Sequence, residues 1–227
     1  MEKVAAEAGE RQLTAQGQDR KAEIVREAER LFTERGFTST RMSDIAEAAG
    51  VTKGLLYWYF ENKQALLAEI VADMRHRLQE AQREAGRGVT DVLARIYVST
   101  VASVRFVRAN QKVYGLITYS GWTSDLAPAL HESATTHAND TAKLIERGQQ
   151  EGVIRGDDDP VLLAHGNAGV VNNYCAAAAW GRLSLDDEAL AHLAARYIVR
   201  SLAATPELAS AVEAAHGPAP AKKKRRR

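Results

Sequence analysis

The sequence predicts an all-α protein, and two observations lead to this prediction. Apolar residues recur at helical spacing in almost every segment, whereas no segment shows the strict alternation typical of a half-buried strand. Residues that cap or end helices lie between these segments. The clearest case is "DDDP", in which Asp159 is a suitable N-cap and Pro160 takes the first helical position. We therefore expect helices and no sheet.

Four helices are predicted in the N-terminal part of the chain. The first begins at Arg20 and stops at Gly36, and a short second helix ends at Gly50. Thr52 is a good N-cap for the third helix, which extends through Phe60. The fourth helix, capped by Asn62, carries a long apolar stripe that comprises Leu66, Leu67, Ile70, Val71, Met74 and Leu78.

The second and third helices form a candidate helix-turn-helix. Both are short, and the turn between them contains Gly50, which tolerates the positive φ that such a turn often requires. Helical spacing directs Leu56 and Phe60 inward and leaves Tyr57 and Trp58 pointing outward. A second helix that projects in this way can enter a DNA major groove.

The segment "AEIVREAERLFTERGFTSTRMSDIAEAAGVTKGLLYWYFENKQALLAEI" resembles the N-terminal domain of the TetR family of bacterial transcriptional repressors. In that family, a helix ending in Phe and Gly-aromatic is followed by "DIAxxAG", by "V-S/T-K/R-G-x-L-Y-x-x-F" and by "K-x-x-L". The resemblance covers roughly residues 20 to 70, and beyond it only the helical architecture is similar. The matching positions are Phe32, Gly36-Phe37, Asp44-Ile45-Ala46, Ala49-Gly50-Val51, Thr52, Lys53-Gly54, Leu56-Tyr57, Phe60, Lys63 and Leu66.

The resemblance implies which residues of the third helix contact DNA. Thr52, Lys53 and Tyr57 would contact backbone phosphates. Gly54 would let the start of the helix approach the DNA closely, and Trp58 would lie along the groove wall.

Four further DNA contacts are expected around this helix. Lys63 would meet a phosphate together with the amides and dipole of the fourth helix. Arg41 and Ser43, at the start of the second helix, would reach a phosphate or a base edge. Leu55 replaces a small polar residue frequent in the family and would touch a thymine methyl group. Because Arg41 stands where a capping Thr is frequent, Thr40 or Ser43 is expected to cap the second helix.

The remaining chain predicts a larger helical part. Four helices are expected at 91–113, 114–122, 124–152 and 159–181, and the third of them is capped near Ser124. A capping box of Ser184 and Asp187 predicts the last helix, with an apolar stripe of Leu190, Leu193, Ala194, Tyr197, Ile198 and Leu202. The predicted regions are a flexible arm (1–18), a TetR-type helix-turn-helix domain (19–66), a helical regulatory and dimerisation domain (67–205) and a disordered tail (206–227).

The resemblance also implies a homodimer, built from the last two helices of each subunit. Small residues in the 159–181 helix would allow close helix approach, and Leu193, Tyr197 and Ile198 supply an apolar stripe on the last helix. The alternative, in which these faces are buried within one subunit, stays open. The small residues are Gly166, Gly169, Ala176, Ala177 and Ala178.

A small-molecule effector would bind inside the C-terminal domain. Polar and aromatic residues on otherwise apolar helices are its natural lining, and as a set they suggest a medium-sized, mainly apolar ligand. Taken singly, each is explained as well by an ordinary core or interface position. These candidates are Phe106, Tyr114, Trp122, His137, Asn172, Asn173 and Trp180.

Charge is distributed unevenly along the chain. The net charge is +1, but "KKKRRR" at the C-terminal end supplies 6 of the 30 basic residues. The remainder has 24 basic and 29 acidic residues, a net charge of −5, so DNA binding must depend on a local site. The basic segment itself is consistent with a DNA-seeking arm, a nuclear import signal, an appended segment or a solvated tail without function.

Composition narrows the functional classes. The single cysteine, Cys175, excludes an internal disulfide and fits a reducing cytosol. The start of the chain is acidic and polar, unlike a signal peptide, and the most apolar run is too short to span a bilayer. We therefore expect a cytoplasmic protein that does not act at a membrane.

No enzyme motif accompanies the helix-turn-helix. Cys175 and His165 lie ten residues apart on one helix, about 15 Å of rise, so they cannot act as a nucleophile–base pair. We expect no catalysis, cofactor or metal site. The sequence predicts a transcriptional repressor that a small molecule releases from a palindromic operator. The alternative is a ligand-independent activator or architectural DNA-binding protein.

Overall fold

The computed structural model describes residues 14–120 and 127–218, with the side chains of 116–120 and 127–137 excepted. These residues form helices and no strand, which confirms the all-α prediction. The basic tail, the first thirteen residues and Ser124 lie outside this range. In chain order the helices are α1 (Ala15–Arg35), α2 (Met42–Ala48), α3 (Lys53–Tyr59), α4 (Lys63–Ala85), α5 (Val92–Ala109), α6 (Gln111–Ser120), α7 (Ala127–Gln150), α8 (Pro160–Ala179), α9 (Asp187–Leu202) and α10 (Pro206–His216).

The chain divides into two compact units, residues 1–70 and 71–227, and the boundary falls inside α4. The N-terminal unit is organised around one apolar core shared by α1, α2, α3 and the first part of α4. Its side chains lie where helical periodicity directs them inward. The fully buried members include Ile24, Leu31, Phe32, Ile45, Leu56, Leu66, Leu67 and Ile70.

Local capping sets the ends of the N-terminal helices. The Thr52 hydroxyl accepts a hydrogen bond from the Leu55 amide at 3.2 Å, and the Asn62 side chain accepts one from the Ala65 amide at 2.8 Å, so both predicted caps are confirmed. Gly50 has φ 62°, the left-handed conformation expected of this turn.

Two predictions about the first two helices are wrong. The first helix begins at Ala15, within the predicted flexible arm, because the Thr14 hydroxyl caps it by accepting from the Gly17 amide. The N-cap of α2 is Arg41, not Thr40 or Ser43, and the Asp44 carboxylate accepts from the Arg41 amide at 3.0 Å. The carboxylate reaching back to the N-cap amide thus replaces a capping hydroxyl.

The C-terminal unit is built around α5. This helix is buried along most of its length and packs against α7, α8, α9 and α10. Tyr97 lies at its centre with no exposed surface, and its hydroxyl meets His192 Nδ1 of α9 at 2.9 Å. His192 Nε2 meets Glu188 at 3.0 Å, and Arg105 binds the same carboxylate. This chain of polar contacts joins α5 to α9 and runs from the buried Tyr97 to the exposed Glu188 and Arg105.

Two helix boundaries in the C-terminal unit differ from the prediction. The helix expected to continue to residue 113 ends at Ala109, where the Asn110 side chain turns back to donate to the Phe106 carbonyl at 2.8 Å. The N-cap of α9 is Asp186, which accepts from the Ala189 amide, and not Ser184. In α8, by contrast, the Asp159 cap and Pro160 start are confirmed.

A tenth helix occupies part of the segment predicted to be a disordered tail. α10 buries Ala209 and Val212, and Arg200 of α9 binds the Glu213 carboxylate through two nitrogens at 2.5 and 2.6 Å. Only two apolar positions of α10 are buried, so its sequence shows no long apolar stripe from which a packed helix could be predicted. Packing against α5 and α9 stabilises it.

Candidate nucleic-acid interface and ligand cavity

α3 presents large apolar side chains to solvent. Leu55, Tyr57 and Trp58 are 38%, 52% and 50% exposed, whereas Leu56 and Phe60 are 0% and 4% exposed. The inward and outward faces predicted for this helix are therefore confirmed. Exposed rings clustered on one short helix are unusual on a protein surface and mark a candidate contact surface.

Tyr59 holds α3 against α1, a role that the sequence did not reveal. Its hydroxyl donates to the Gly17 carbonyl at 3.0 Å, and its ring lies edge-on to Trp58 with 4.7 Å between centroids. The first turn of α1 lies inside the stretch predicted to be flexible, so a partner for Tyr59 could not be foreseen there. The contact fixes the direction in which Trp58 projects.

A shallow depression beside α3 collects several of the predicted DNA contacts. Its volume is about 530 Å³, and it lies between the start of α2, the outer face of α3 and the start of α4. Arg41 and Lys53 are exposed there, and they bring positive charge to a surface that also contains Glu61. The lining consists of five predicted DNA contacts (Arg41, Ser43, Lys53, Tyr57 and Lys63) and six residues that were not predicted to contact DNA (Thr38, Thr40, Met42, Glu61, Asn62 and Gln64).

Lys63 has an internal role in the structure. Its ammonium group donates to the carbonyls of Phe37, Thr38 and Thr40 at 2.6, 3.3 and 2.9 Å, and it lies 4.6 Å from the centroid of the Phe37 ring. Burial lowers the pKa of Lys63. Three carbonyl partners use the three donors of an ammonium group, so the side chain closes the α1–α2 connection. The phosphate contact expected at this position stays a prediction, now for the first amides of α4.

The C-terminal unit contains a cavity of about 410 Å³ between α4, α5, α7 and α8. This volume lies within the usual range for small-molecule sites. Two of the predicted ligand residues, Tyr114 and Asn172, line it. Burial raises the pKa of Tyr114 to about 12, so its hydroxyl remains protonated at neutral pH. The apolar part of the lining includes Leu78, Ile96, Val107, Leu144, Val171 and Ile198.

Other predicted ligand residues lie elsewhere. Asn173 of α8 and Trp180, just after its C-terminal end, are exposed and do not line this cavity, so their role in ligand binding stays a prediction. Phe106 packs edge-on against Tyr114, 6.4 Å between centroids, outside the lining. Trp122 and the His137 side chain lie outside the described residues. α8 is apolar or small almost all round, so its sequence does not tell which face is covered.

The cavity contains polar residues that the sequence analysis missed. Gln82 donates to the Ser103 hydroxyl at 2.8 Å. Asn167 also lines the cavity, and its buried amide nitrogen has no hydrogen-bond partner among the described residues. Asn167 lies in an apolar stretch of α8, the same signal that singled out Asn172, so it could have been found. Arg83 and Arg95 complete the charged part of the lining.

The structure gives no support to a cysteine nucleophile. Cys175 is buried in the core, and this burial raises the pKa of its thiol to about 11, whereas His165 is exposed. A thiol with this pKa stays protonated and unreactive at neutral pH. Among the described residues, no group of His, Cys, Asp and Glu is arranged to hold a metal, and no helix is both long and apolar enough to cross a membrane.

The match to a known family covers the N-terminal unit. Residues 24–70 match the model of the family described as bacterial regulatory proteins, tetR family. The N-terminal unit of this chain belongs to the TetR family. Over 82 residues, the chain is 38% identical to the HTH-type transcriptional regulator TtgR of Pseudomonas putida. This segment is 36% of our chain and 39% of TtgR, so less than half of that relative's length is matched.

Solved structures of similar fold extend over most of the chain. The transcriptional regulator FadR from Bacillus subtilis, in complex with stearoyl-CoA, has a TM-score of 0.71 at 19% identity, over 79% of this chain and 98% of that one. A regulator from Saccharomonospora viridis, in complex with choline, has a TM-score of 0.65 at 19% identity, over 82% and 98%. At these identities the likeness shows a shared helical fold.

Proposed function

We propose that the protein is a DNA-binding transcriptional regulator, a repressor that a small molecule releases from a palindromic operator. One observation carries the proposal. α3 of a TetR-family domain exposes Leu55, Tyr57 and Trp58 on one face, while Leu56 and Phe60 anchor the other face in the core. A rigid helix with an unpaired aromatic face is suited to a major groove.

The contacts divide into positioning and reading. Arg41, Lys53 and Tyr57 lie around one depression, where they would bind phosphates of the backbone. Leu55 and Trp58 lie on the exposed face of α3, where they would meet the base edges and the groove wall. The capped start of α3, at Thr52 and Gly54, would lie close to the backbone. Phosphate contacts set the register, and the two apolar residues contribute sequence preference.

Dimer formation would place two such helices on one operator. Leu162 of α8 is 71% exposed, and Trp180, at the C-terminal end of α8, is 57% exposed. Tyr197 of α9 is 54% exposed. Gly166 and Gly169 of α8 are also exposed, and apart from the backbone of their own helix no atom of the described residues lies within 4 Å of where a Cβ would be. An apolar face with small residues at its centre suits a second copy of the same helices.

A small effector would bind in the 410 Å³ cavity. Ligand complexes of two proteins with a similar fold, one with stearoyl-CoA and one with choline, support a small-molecule role for the C-terminal unit. The cavity walls include residues of α8 and α9, the two helices that carry the proposed dimer face. A ligand that moved these helices would change the spacing of the two α3 helices and so the affinity for the operator.

Selection of bound duplexes from a random DNA pool tests the proposal. We expect an inverted repeat with half-sites about 34–36 Å apart, centre to centre, because two recognition helices then meet successive major grooves. Bound sequences without inverted symmetry would contradict the palindromic operator. Sequence-independent binding would favour an architectural protein, and an operator whose affinity no ligand changes would favour the ligand-independent alternative.

A further inference from the structure

We infer that the cavity of the C-terminal unit binds an amphipathic anion, a molecule with an apolar body and one negatively charged head. The inference rests on the proposed function only in taking this ligand as the effector. The sequence pattern had suggested a mainly apolar ligand, and the structure adds charged and hydrogen-bonding groups to the lining. Three residues determine this chemistry: Arg83, Arg95 and Asn167.

The apolar wall accounts for the body of the ligand. Ile96 and Val107 of α5, Leu144 of α7 and Val171 of α8 come from three helices and enclose the same space. An alkyl chain or a small ring system would be removed from water on several sides there. Each methylene buried there would strengthen binding.

Positive charge exceeds negative charge in the described lining. Arg83 and Arg95 have no carboxylate partner among the described residues. The one acid of this lining, Asp140, is balanced by Lys143, 3.6 Å away, and accepts a hydrogen bond from Gln79 at 3.1 Å. Arg83 is exposed and Arg95 half-buried, so the positive charge lies where the cavity meets solvent. At this end of the cavity an anionic head would form an ion pair with the arginines, whereas a cationic head would be repelled by them.

Carboxylates just outside the cavity do not reverse this balance. Arg83 and Arg95 also border a neighbouring groove that contains Glu80 and Glu84. Glu84 binds Arg87 at 2.6 Å, and Glu80 lies 3.4 Å from His76. Glu84 is thus paired, and the groove contains three arginines, Arg83, Arg87 and Arg95, against these two acids. The two cavity arginines therefore remain available to a ligand.

Asn167 adds a requirement for a hydrogen-bond acceptor. Its amide nitrogen is shielded from solvent and has no partner in the described part of the chain, which costs free energy in the ligand-free protein. Asn167 lines the cavity, so an oxygen on the bound molecule is the partner within reach. A carboxylate or a carbonyl near the head would supply it, whereas an alkylammonium ion has no acceptor to offer.

The test compares two ten-carbon amphiphiles of opposite charge. Isothermal titration calorimetry of the full chain measures the affinity for decanoate and for decyltrimethylammonium. We expect decanoate to bind at least about tenfold more tightly. Arg95→Gln and Arg83→Gln should each weaken decanoate binding by about 10-fold, the lower end of what the loss of one charged hydrogen bond predicts. Arg75→Gln, which removes a positive charge from α4 outside the lining, should leave the affinity unchanged.

Asn167→Leu separates ligand recognition from folding. Because it replaces an unsatisfied buried amide by an apolar group of similar shape, we expect the melting temperature of the ligand-free protein to rise by about 2–4 °C. Decanoate affinity should fall about fivefold in the same variant. A variant that is both more stable and weaker in binding cannot be explained by a damaged fold.

Three results would overturn the inference: equal affinity for the two amphiphiles, binding of neither, or decanoate binding that is unchanged in Arg83→Gln, Arg95→Gln and Asn167→Leu. Operator selection is a separate measurement. A protein that binds an inverted repeat but fails these tests would retain the proposed DNA-binding function and lose only the ligand assignment.

Discussion

Tyr57 and Phe60 are three positions apart on one short segment and have opposite environments, half exposed and buried. Tyr57→Ala should leave helicity and the melting temperature nearly unchanged and reduce operator affinity by about 1–3 kcal/mol per subunit, through loss of a phosphate hydrogen bond and ring contact. Phe60→Ala should destabilise the N-terminal unit by about 3–5 kcal/mol, because it empties a buried ring site. Circular dichroism melts and gel-shift titrations measure both effects.

The two variants control for each other. Loss of DNA binding in Phe60→Ala should accompany loss of the folded N-terminal unit, whereas Tyr57→Ala should lose affinity without unfolding. If Tyr57→Ala unfolds the unit and Phe60→Ala binds DNA normally, the orientation of α3 is wrong.

Lys63 and Lys53 also have different environments: Lys63 binds carbonyls within the N-terminal unit, whereas Lys53 is exposed. Lys63→Met removes the donor to three carbonyls of the α1–α2 connection, so we expect the N-terminal unit to lose about 2 kcal/mol of stability. Hydrogen exchange of the amides at 37–41 should accelerate. Lys53→Met removes an exposed side chain, so stability should be kept while operator affinity falls and its salt dependence weakens.

These two lysine variants also decide the open question at Lys63. Lys63→Met could keep the amide exchange rates and the melting temperature of the unmodified protein and still lose operator affinity. In that case the ammonium group contacts phosphate. The internal carbonyl contacts would then be incidental to its role.

At the scale of elements, α3 and α8 each expose a leucine. Leu55 of α3 belongs to the proposed DNA contact, and Leu162 of α8 belongs to the proposed dimer face. Leu162→Glu places a charge in the proposed dimer face, and we expect the dimer dissociation constant to rise on the order of 100-fold, because a carboxylate would be buried without a partner. The same change at Leu55 should leave the dimer intact and abolish operator binding through repulsion of phosphate. Sedimentation velocity and gel shifts test the pair.

Both leucines are exposed in the single subunit, so neither change disturbs its core. If Leu162→Glu remains dimeric, another face carries the contact. Monomeric Leu55→Glu would mean that its loss of DNA binding has an indirect cause.

At the scale of the whole molecule, charge predicts the contribution of the C-terminal basic segment. Without "KKKRRR" the chain carries a net charge of −5, so this segment would attract DNA that the rest of the chain repels on average. Deletion of residues 222–227 should weaken binding to all duplexes alike and flatten the plot of log affinity against log salt. The selected operator sequence should not change.

Replacing the six residues by glutamine keeps the length and removes the charge. This variant should behave like the deletion if the effect is electrostatic. An unaltered salt slope in both would show that the segment takes no part in DNA binding.

The sequence by itself determined the helical class, the helix-turn-helix and the faces of α3. These features depend on short-range physics. A cap such as Thr52 or Asn62 bonds an amide three residues away, and Gly50 adopts the positive φ of its own turn. Burial of Leu56 and Phe60 follows from helical spacing, since these two residues share the face of α3 that is directed at the core.

Only the tertiary structure decided which residues meet across the chain. The carbonyls bound by Lys63 are 23 to 26 residues away, and Tyr59 finds its acceptor 42 residues away. The side of α8 that is covered depends on α5, α7 and α9, so Asn167 lines the cavity while Asn173 and Trp180 face outward. α10 forms because neighbouring helices bury it. Periodicity describes one helix at a time, whereas burial is set by what packs against it.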